Sequence, residues 1–427
     1  MIPPAPDEAS QPVPIALALS GGGFRASIFH LGVLRRLAEL GLLPKITVIS
    51  TVSGGTIIGA FAALRWQQVL TDGGDWPALD RHVCTPFLQA ITTRNFLLSW
   101  LGKLPRTILT RTRDATFSRT AAAADLYDDW FFQGATLDEL PPTPRLVMNA
   151  TSLPSIRAWR FTHDGMGDSR YGYTQWTPGT LAPRVSIAVS ASAAFPPVFT
   201  PVRIRLDEHT FTPPAYRQAP TEPTKEMLVS DGGVYDNLGL EVLLGNKPLP
   251  NGTLLPPPGW LIVSDAGHPA RYRFTGSRIP GIGAFTLLSR VRDIALEQVG
   301  ALRQRALIDD FQRKTRKGLL VAIKSSTATL EEPARSTYRS AVGEQTQIPP
   351  ALLAVIQTIR TSLDRFSPTE AEALQYHAYT MTDAFWWAYL ARPQPAPDPS
   401  WRINFDADTV TAWGRELMHS NQTLRLR

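Results

Sequence analysis

The sequence predicts an α/β fold with a parallel central sheet, on two observations. A buried apolar run at residues 15–19 leads through the glycine-rich residues 20–23 into a stretch with an apolar residue every three to four positions, which is typical of an amphipathic helix. A second apolar run at residues 46–50 leads through residues 51–55 into another helical stretch. Strands that alternate with helices in this way pair side by side in parallel.

The other elements follow in chain order. We expect the first helix to end at Gly41, because glycine closes a helix and Pro44 prevents its continuation. The second helix opens at Thr56. Apolar or alternating runs predict strands at residues 145–150, 158–162, 201–206, 227–230, 260–264 and 319–323. Helical patterns occupy residues 121–132, 185–194 and 294–311, and a helix runs to about residue 390 after the capping box Ser367-Pro368-Thr369-Glu370.

These elements predict one large domain with additions. Residues 1–13 are a proline-rich lead-in, and residues 14–330 form the α/β domain. Residues 67–140 within it are expected to be a helical lid or insertion. Residues 331–427 are expected to be a mostly helical C-terminal extension, with a proline-rich linker at 393–399.

Composition limits the class of protein. The chain has 427 residues, 43% of them hydrophobic, and a net charge of +6. This positive charge indicates a mild preference for anionic surfaces. Cys84 is the single cysteine, so neither an intrachain disulfide nor a multi-cysteine metal site forms. We find no nucleic-acid-binding signature, no cleaved signal peptide and no apolar run that spans a bilayer. A cytoplasmic or peripheral membrane location is therefore expected.

Ser53 is the candidate nucleophile. It lies between a strand and a helix and is followed by Gly54 and Gly55, a pattern that favours the strained turn that exposes a serine hydroxyl. It also begins a helix, where developing negative charge is favoured. The glycines at 21–23 lie one strand away at the same sheet edge, so their N–H groups are candidates for an oxyanion hole.

Asp231 is the candidate base. It follows the predicted strand at 227–230 and precedes Gly232 and Gly233, which permit a tight turn. Asp265 also follows a strand and competes for the role. His268 and His377 come after Asp231, so either would complete a Ser-Asp-His order, although an ordinary structural role is favoured for both.

The blocks Gly21-Gly22-Gly23-Phe24-Arg25, the Ser53 turn and Asp231-Gly232-Gly233 together resemble the signature of patatin-like phospholipases. Residues 189–196 and 148–151 resemble two further blocks of that family. The resemblance implies a three-layer α/β/α fold with a mostly parallel sheet. It also implies metal-independent hydrolysis of acyl esters in phospholipids or other lipids, with no cofactor.

The same resemblance assigns roles to individual residues. It implies that Ser53 is the nucleophile and Asp231 the base of a dyad without histidine. Gly21, Gly22 and Gly23 would bind the oxyanion, and Arg25 would brace that loop or meet a phosphate. One position departs from the pattern: the family's turn usually begins with glycine, and Thr51 stands there.

Three other functions remain open at this stage. Gly21-x-Gly23-x-x-Ala26 fits a loose dinucleotide fingerprint, but the acid expected after the second strand is missing. An α/β-hydrolase with a Ser-Asp-His triad is the second, and a non-catalytic lipid-binding protein is the third.

Residues 94–113 combine apolar and basic side chains, including Phe96, Trp100 and Lys103. They predict either a packed lid or a membrane-surface segment.

Overall fold

The structure is a computed structural model that describes residues 13–110, 115–177, 181–212, 225–245, 248–252, 254–267, 282–391 and 397–422. Four features of the sequence predictions lie outside these residues: nearly all of the lead-in, Arg111 and Arg113 of the lid segment, His268, and most of the linker at 393–399.

Ten strands and fifteen helices make up the described residues. The strands are β1 (Ile15–Leu19), β2 (Ile46–Val52), β3 (Arg145–Ser152), β4 (Arg157–Thr162), β5 (Gly165–Asp168), β6 (Gly172–Gln175), β7 (Val202–Arg205), β8 (Glu226–Asp231), β9 (Trp260–Asp265) and β10 (Gly318–Ala322). The helices of the first half are α1 (Gly23–Glu39), α2 (Gly54–Ala63), α3 (Trp66–Thr71), α4 (Trp76–Leu79), α5 (Thr85–Thr93), α6 (Phe96–Thr110), α7 (Ala115–Tyr127) and α8 (Val185–Ser192). Those of the second half are α9 (Gly233–Asp236), α10 (Glu241–Leu244), α11 (Ile282–Gln312), α12 (Ala334–Val342), α13 (Pro350–Gln357), α14 (Pro368–Phe385) and α15 (Ala407–Gln422).

The α/β fold class predicted from the sequence is confirmed. Strands β10, β9, β1, β2 and β3 pair in parallel in that order and form the centre of a mixed sheet. Beyond β3 the sheet continues through β4, β5 and β6 in antiparallel pairs, because short turns join these strands. The sequence does not predict β5 and β6, whose four-residue lengths carry little pattern.

The register explains how the sheet brings distant residues together. Strand β3 continues past the end of β2, since Val52 pairs with Asn149, and β8 pairs in antiparallel fashion with this continuation. Ala150, the next residue of β3, is the partner of Asp231. The last residue of β8 therefore lies beside the end of β2, where Ser53 begins the next turn.

Apolar side chains cover both faces of the sheet, which gives the three layers. Ile15, Leu17 and Leu19 of β1 point into a large cluster with α1, α2 and α14, while Ala16 and Ala18 point into a second cluster with Leu307 of α11. Alternate residues of a strand face opposite sides, so a strand buried on both faces is apolar throughout.

The C-terminal residues belong to the same core as the α/β domain. Helix α14 packs along α1 so closely that a Cβ atom on Gly32 would lie 2.1 Å from the carbonyl oxygen of Gln375. A buried ion pair between Arg36 and Asp383, at 2.6 Å, crosses the same contact. Ser367 caps α14 with the predicted capping box. Helix α15 was not predicted.

None of the helices in the described ranges is both long enough and apolar enough to cross a membrane.

Candidate active site

Ser53 adopts a backbone conformation that few residues other than glycine adopt. Its φ is 50° and its ψ −117°, between the end of β2 and the start of α2. Such a conformation carries strain of about 1–3 kcal/mol and persists where the surroundings enforce it. Here the Ser53 N–H donates to Ser192 Oγ at 2.9 Å, and the Ser53 carbonyl accepts from the N–H groups of Thr56 and Ile57.

Gly54 and Gly55 allow this turn to pack against the neighbouring strand and loop. A Cβ atom on Gly54 would lie 2.0 Å from the carbonyl oxygen of Gly23, and one on Gly55 would lie 2.3 Å from that of Leu19. Both contacts are far shorter than real side chains tolerate. The two glycines are therefore required by close approach, and this approach places Ser53 against the glycine-rich loop.

The turn accommodates Thr51 through a compensating glycine. Thr51 Cγ2 occupies the space beside Gly59 of α2, where an added Cβ atom would lie only 2.6 Å away. The Thr51 hydroxyl donates to the carbonyl of Val147 at 3.3 Å and lies 3.0 Å from the hydroxyl of Thr56. The β-branched residue thus fits without displacing Ser53.

The glycine-rich loop has two free N–H groups rather than three. The Gly21 N–H donates to the carbonyl of Asn237 at 3.1 Å, so the structure does not support the prediction that this group binds an oxyanion. Within the described residues, the N–H groups of Gly22, Gly23 and Gly54 have no hydrogen-bond partner. Gly22 and Gly23 have φ values of 143° and 59°, which glycine adopts without strain.

Arg25 is a brace for this loop. The guanidinium is fully buried; Nη1 donates to the carbonyl of Ile359 at 2.9 Å and Nη2 to that of Ala266 at 2.5 Å. Burial lowers its pKa to about 10, and nearby Asp265 partly opposes that effect. Of the two roles that the sequence left open, its contacts are those of a brace.

Asp231 is buried beside Ser53. Its Oδ1 accepts the Gly233 N–H at 2.7 Å, whereas Oδ2 has no hydrogen bond of standard geometry. Burial raises the pKa of Asp231 to about 7, and the Gly233 N–H and the nearby Ser53 hydroxyl partly offset this. Gly232 is fixed by close approach to Asn149, whose carbonyl oxygen would lie 2.3 Å from an added Cβ atom. Asp231 thus combines a raised pKa with one oxygen, Oδ2, that no donor holds at standard hydrogen-bond geometry.

Asp265, the competing acid, has both oxygens occupied. Its Oδ1 accepts the Gly267 N–H at 2.9 Å, and its Oδ2 accepts from Gln304 Nε2 at 2.5 Å. It faces the same pocket as Ser53 but already serves two donors. This arrangement suits a structural carboxylate better than a proton acceptor.

His30 and His377 are buried and have structural partners. His30 lies between Ser264 Oγ at 2.6 Å and the carbonyl oxygen of Ser20 at 2.9 Å, and His377 Nε2 is 2.8 Å from the carbonyl oxygen of Ile323. Burial lowers the pKa of both rings to about 4, which keeps them neutral. No histidine of the described residues lines the pocket that contains Ser53.

Ser53 and Asp231 open into one pocket of about 850 Å³. Its walls are largely apolar, and the glycine-rich loop forms part of the same surface. Such a pocket suits a largely apolar ligand with a polar group beside Ser53. The apolar lining includes Ile57, Leu97, Phe195, Val198, Phe199 and Leu238.

Sequence reasoning missed several residues that build the site. Ser192 accepts the Ser53 N–H, and the only signal for it is its place in the block at 189–196. Tyr127 lines the pocket with a buried hydroxyl that has no partner, and no sequence pattern marks it. The loop 361–363, from the C-terminal region, also lines the pocket, and Arg360 holds this loop through Asp364 at 2.9 Å.

The segment at 94–113 is partly a packed lid. Phe96 stacks on Tyr127 with ring centroids 4.6 Å apart, and Trp100 contacts Phe199. The face that the sequence offered to a membrane through Phe96 and Trp100 is therefore buried, because these rings find aromatic partners in the protein. Lys103 forms an ion pair with Asp129. On the other side of α6, Leu109 is 85% exposed.

Metal-ligating side chains do not cluster in the part of the chain that the structure describes: no group of three histidine, cysteine or acidic residues is arranged to hold an ion.

Comparison with known proteins identifies similar chains. A family model described as patatin-like phospholipase matches residues 17–244. Cytosolic phospholipase A2 gamma of the mouse is 53% identical over 49 residues, which are 12% of this chain and 8% of that protein. Among solved structures, human GIVD cytosolic phospholipase A2 aligns over 97% of this chain and 61% of its own, with 12% identity and a TM-score of 0.45. VipD from Legionella pneumophila aligns over 87% and 66%, with 14% identity and a TM-score of 0.32.

Proposed function

The chain belongs to the patatin-like phospholipase family, and we propose that it is a serine hydrolase that cleaves fatty-acyl ester bonds of phospholipids or related lipids. One observation carries the proposal. Ser53, held at φ 50°, lies beside the buried carboxylate of Asp231 at the end of an apolar pocket of about 850 Å³.

In the proposed first step, the Ser53 hydroxyl attacks the carbonyl carbon of the ester while Asp231 takes its proton. A carboxylate with an ordinary pKa near 4 is a weak base, but a pKa of about 7 suits proton transfer at neutral pH. The unpartnered Oδ2 is the atom available for this proton.

The negative charge that develops on the carbonyl oxygen needs donors that are already in position. We propose that the N–H groups of Gly22, Gly23 and Gly54 supply them, since they have no partner in the protein and belong to loops in direct contact. Arg25 keeps the loop in place from behind, through the backbone of Ala266 and Ile359.

Collapse of the tetrahedral intermediate releases the alcohol, which takes the proton from Asp231 and leaves the acyl group on Ser53. Water then attacks this acyl-enzyme while Asp231 accepts its proton; collapse of the second tetrahedral intermediate releases the fatty acid, and Asp231 returns the proton to Ser53 Oγ. Each step uses groups of this chain alone, so the proposed reaction needs no metal or cofactor.

The pocket supports an acyl lipid as the substrate, because its apolar walls suit a hydrocarbon chain and Ser53 lies in the same cavity. Arg25 faces backbone carbonyls, so we do not propose it as the phosphate ligand. Since such substrates reside in bilayers, we propose that the protein contacts membrane surfaces peripherally.

Fatty-acid release from phospholipids, lysolipids, galactolipids and triacylglycerols tests the proposal. Wild type should hydrolyse at least one class, and Ser53→Ala should lower the rate by about 10⁴-fold or more. Ser190→Ala is the matched control, because the Ser190 hydroxyl is buried without a partner and does not line the pocket. Equal activity of Ser53→Ala and wild type would refute the proposal.

A further inference from the structure

Helix α11 lies along the pocket and turns most of its polar side chains toward the protein. Arg290, Asp293, Glu297 and Gln304 of this helix line the pocket, together with the apolar Ile294 and Leu296. Within its described side chains, Leu307 is the only one that is fully buried. Three polar contacts hold the inner side: Gln304 to Asp265 at 2.5 Å, Arg303 to Asp236 at 3.3 Å, and Arg292 to the carbonyl oxygen of Pro196 at 2.7 Å.

The outer side of α11 is apolar and faces solvent. Leu288, Leu302 and Val291 are 68%, 58% and 55% exposed. At about 100° per residue, these positions fall on one stripe that lies opposite Gln304 and Leu307. The complete stripe is Leu288, Val291, Ala295, Val299, Leu302 and Ala306, and all six are exposed.

This arrangement reverses the usual orientation of a surface helix, which turns its apolar stripe toward the core. Together with the adjoining Leu287, the stripe exposes an apolar area on the order of 500 Å², near the upper limit for soluble monomers. A stable interface between two proteins needs about 800 Å² per partner, so this helix alone offers too little for a second copy of the chain.

The charges around the stripe favour an anionic surface as the partner. Between residues 287 and 306 the acidic side chains are Asp293 and Glu297, and both line the pocket on the inner side. The exposed Arg305 borders the stripe, and the chain as a whole carries a net charge of +6. Acidic headgroups therefore meet no acidic side chain on the outer face between residues 287 and 306, and the next acid on that side, Asp309, is paired with Arg313 at 2.8 Å.

We propose that the outer face of α11, defined by the six-residue stripe, docks on the surface of a phospholipid bilayer. The proposal rests on the function proposed above, because a lipid hydrolase must meet its substrate at a bilayer. The inner face of the same helix lines the pocket, so docking brings the pocket within about one helix diameter, roughly 10 Å, of the lipid. A helix with a wide apolar face and basic flanks enters the headgroup layer in this way.

Vesicle co-sedimentation tests this docking face. The test variant is Leu288→Gln/Val291→Gln/Leu302→Gln, whose three residues do not line the pocket. The matched control, Ile156→Gln/Leu181→Gln/Leu254→Gln, changes exposed apolar side chains outside α11 and the pocket lining. Binding to phosphatidylcholine–phosphatidylglycerol vesicles is measured in a Ser53→Ala background, which leaves the vesicles intact. Hydrolysis of a soluble short-chain ester is measured with Ser53 present.

We expect the vesicle affinity of the α11 variant to fall by roughly tenfold or more. The control should bind vesicles as its parent does. Soluble-ester hydrolysis should not change. The emission of a fluorophore attached to the cysteine of L288C should shift to shorter wavelength when the protein binds vesicles, and brominated acyl chains should quench it. Labelling is selective because the native Cys84 is buried.

Equal vesicle binding by the α11 variant and its parent would overturn the proposal, as would a fluorophore at 288 that stays in water. A concentration-dependent dimer that the α11 variant alone abolishes would assign the face to a second copy instead, and would also overturn it. If wild type hydrolyses no ester, the proposed function fails by itself, since vesicle binding is measured without catalysis.

Discussion

Replacing Asp231 by asparagine should inactivate the protein and, at the same time, stabilise it in a way that depends on pH. The physical cause is burial, which raises the pKa of this carboxyl to about 7. Between about pH 4 and pH 7 the folded chain holds the proton more tightly than the unfolded chain. The free energy of unfolding of wild type therefore falls as pH rises through this window.

The magnitude follows from the difference between a pKa of about 7 and the ordinary value near 4. At 1.36 kcal/mol per pKa unit, the raised pKa of Asp231 destabilises the fold by about 4 kcal/mol at pH 8, where the carboxylate is ionised in the fold, and by about 1.5 kcal/mol at pH 5, where the fold retains a proton that the unfolded chain has released. Asparagine does not titrate. The free energy of unfolding of Asp231→Asn, relative to that of wild type, should therefore increase by about 2.5 kcal/mol between pH 5 and pH 8.

Urea unfolding of wild type and Asp231→Asn at a series of pH values measures this difference directly. All other titrating groups, including the buried His30 and His377, are common to both chains and cancel. In the same preparations, kcat of the variant should fall by several orders of magnitude, because an amide cannot accept the Ser53 proton. Wild-type activity should rise with pH as Asp231 ionises, with an apparent pKa of about 7.

A stability difference that is flat from pH 5 to pH 8 would refute the assignment of a raised pKa to Asp231. Retained activity in Asp231→Asn would refute its role as the base, and inactivation by Asp265→Asn alone would transfer that role to the competing acid.

Three further changes test neighbouring features. Gly59→Ala should destabilise the fold by about 1–3 kcal/mol, because the new Cβ atom would lie 2.6 Å from Thr51 Cγ2. Adding Thr51→Gly to the same chain should restore much of the lost stability, as measured by denaturation in a double-mutant cycle. Gly22→Ala or Gly23→Ala should lower kcat by roughly 10²–10³-fold, because the added methyl group displaces the N–H groups that we propose as oxyanion donors. A normal kcat with a raised KM would contradict that role. His377→Ala should lower the midpoint of thermal unfolding, since a buried ring is removed, yet leave kcat nearly unchanged; a loss of kcat as large as that of Ser53→Ala would favour the triad.

The centre of the fold is readable from the sequence because its signals are local. The apolar run of β1, the glycines after it and the repeat of apolar residues along α1 predict a strand, a loop and a helix where the structure has them. Gly41, at φ 65°, ends that helix as expected. Helix α15 is missed because it is exposed over much of its length, although Asp406 marks its start by accepting the Thr409 N–H at 2.8 Å.

The details of the site depend on contacts between distant residues, which no local pattern carries. Asp231 and Asp265 both end strands, and only their burial and partners distinguish them. The Gly21 N–H, which the sequence offers as a candidate oxyanion donor, already donates to the carbonyl of Asn237, more than two hundred residues later. Tyr127 reaches the pocket from α7, in a region that the sequence describes only as helical.

The central claim is that Ser53 is the nucleophile, and labelling by a fluorophosphonate tests it most directly. This reagent phosphonylates an activated serine hydroxyl, and mass spectrometry of proteolytic fragments locates the adduct. The account predicts one adduct, on Ser53, that is absent from Ser53→Ala and forms much more slowly in Asp231→Asn. An adduct on Ser20 or Ser50, or unchanged labelling of Ser53→Ala, would contradict it.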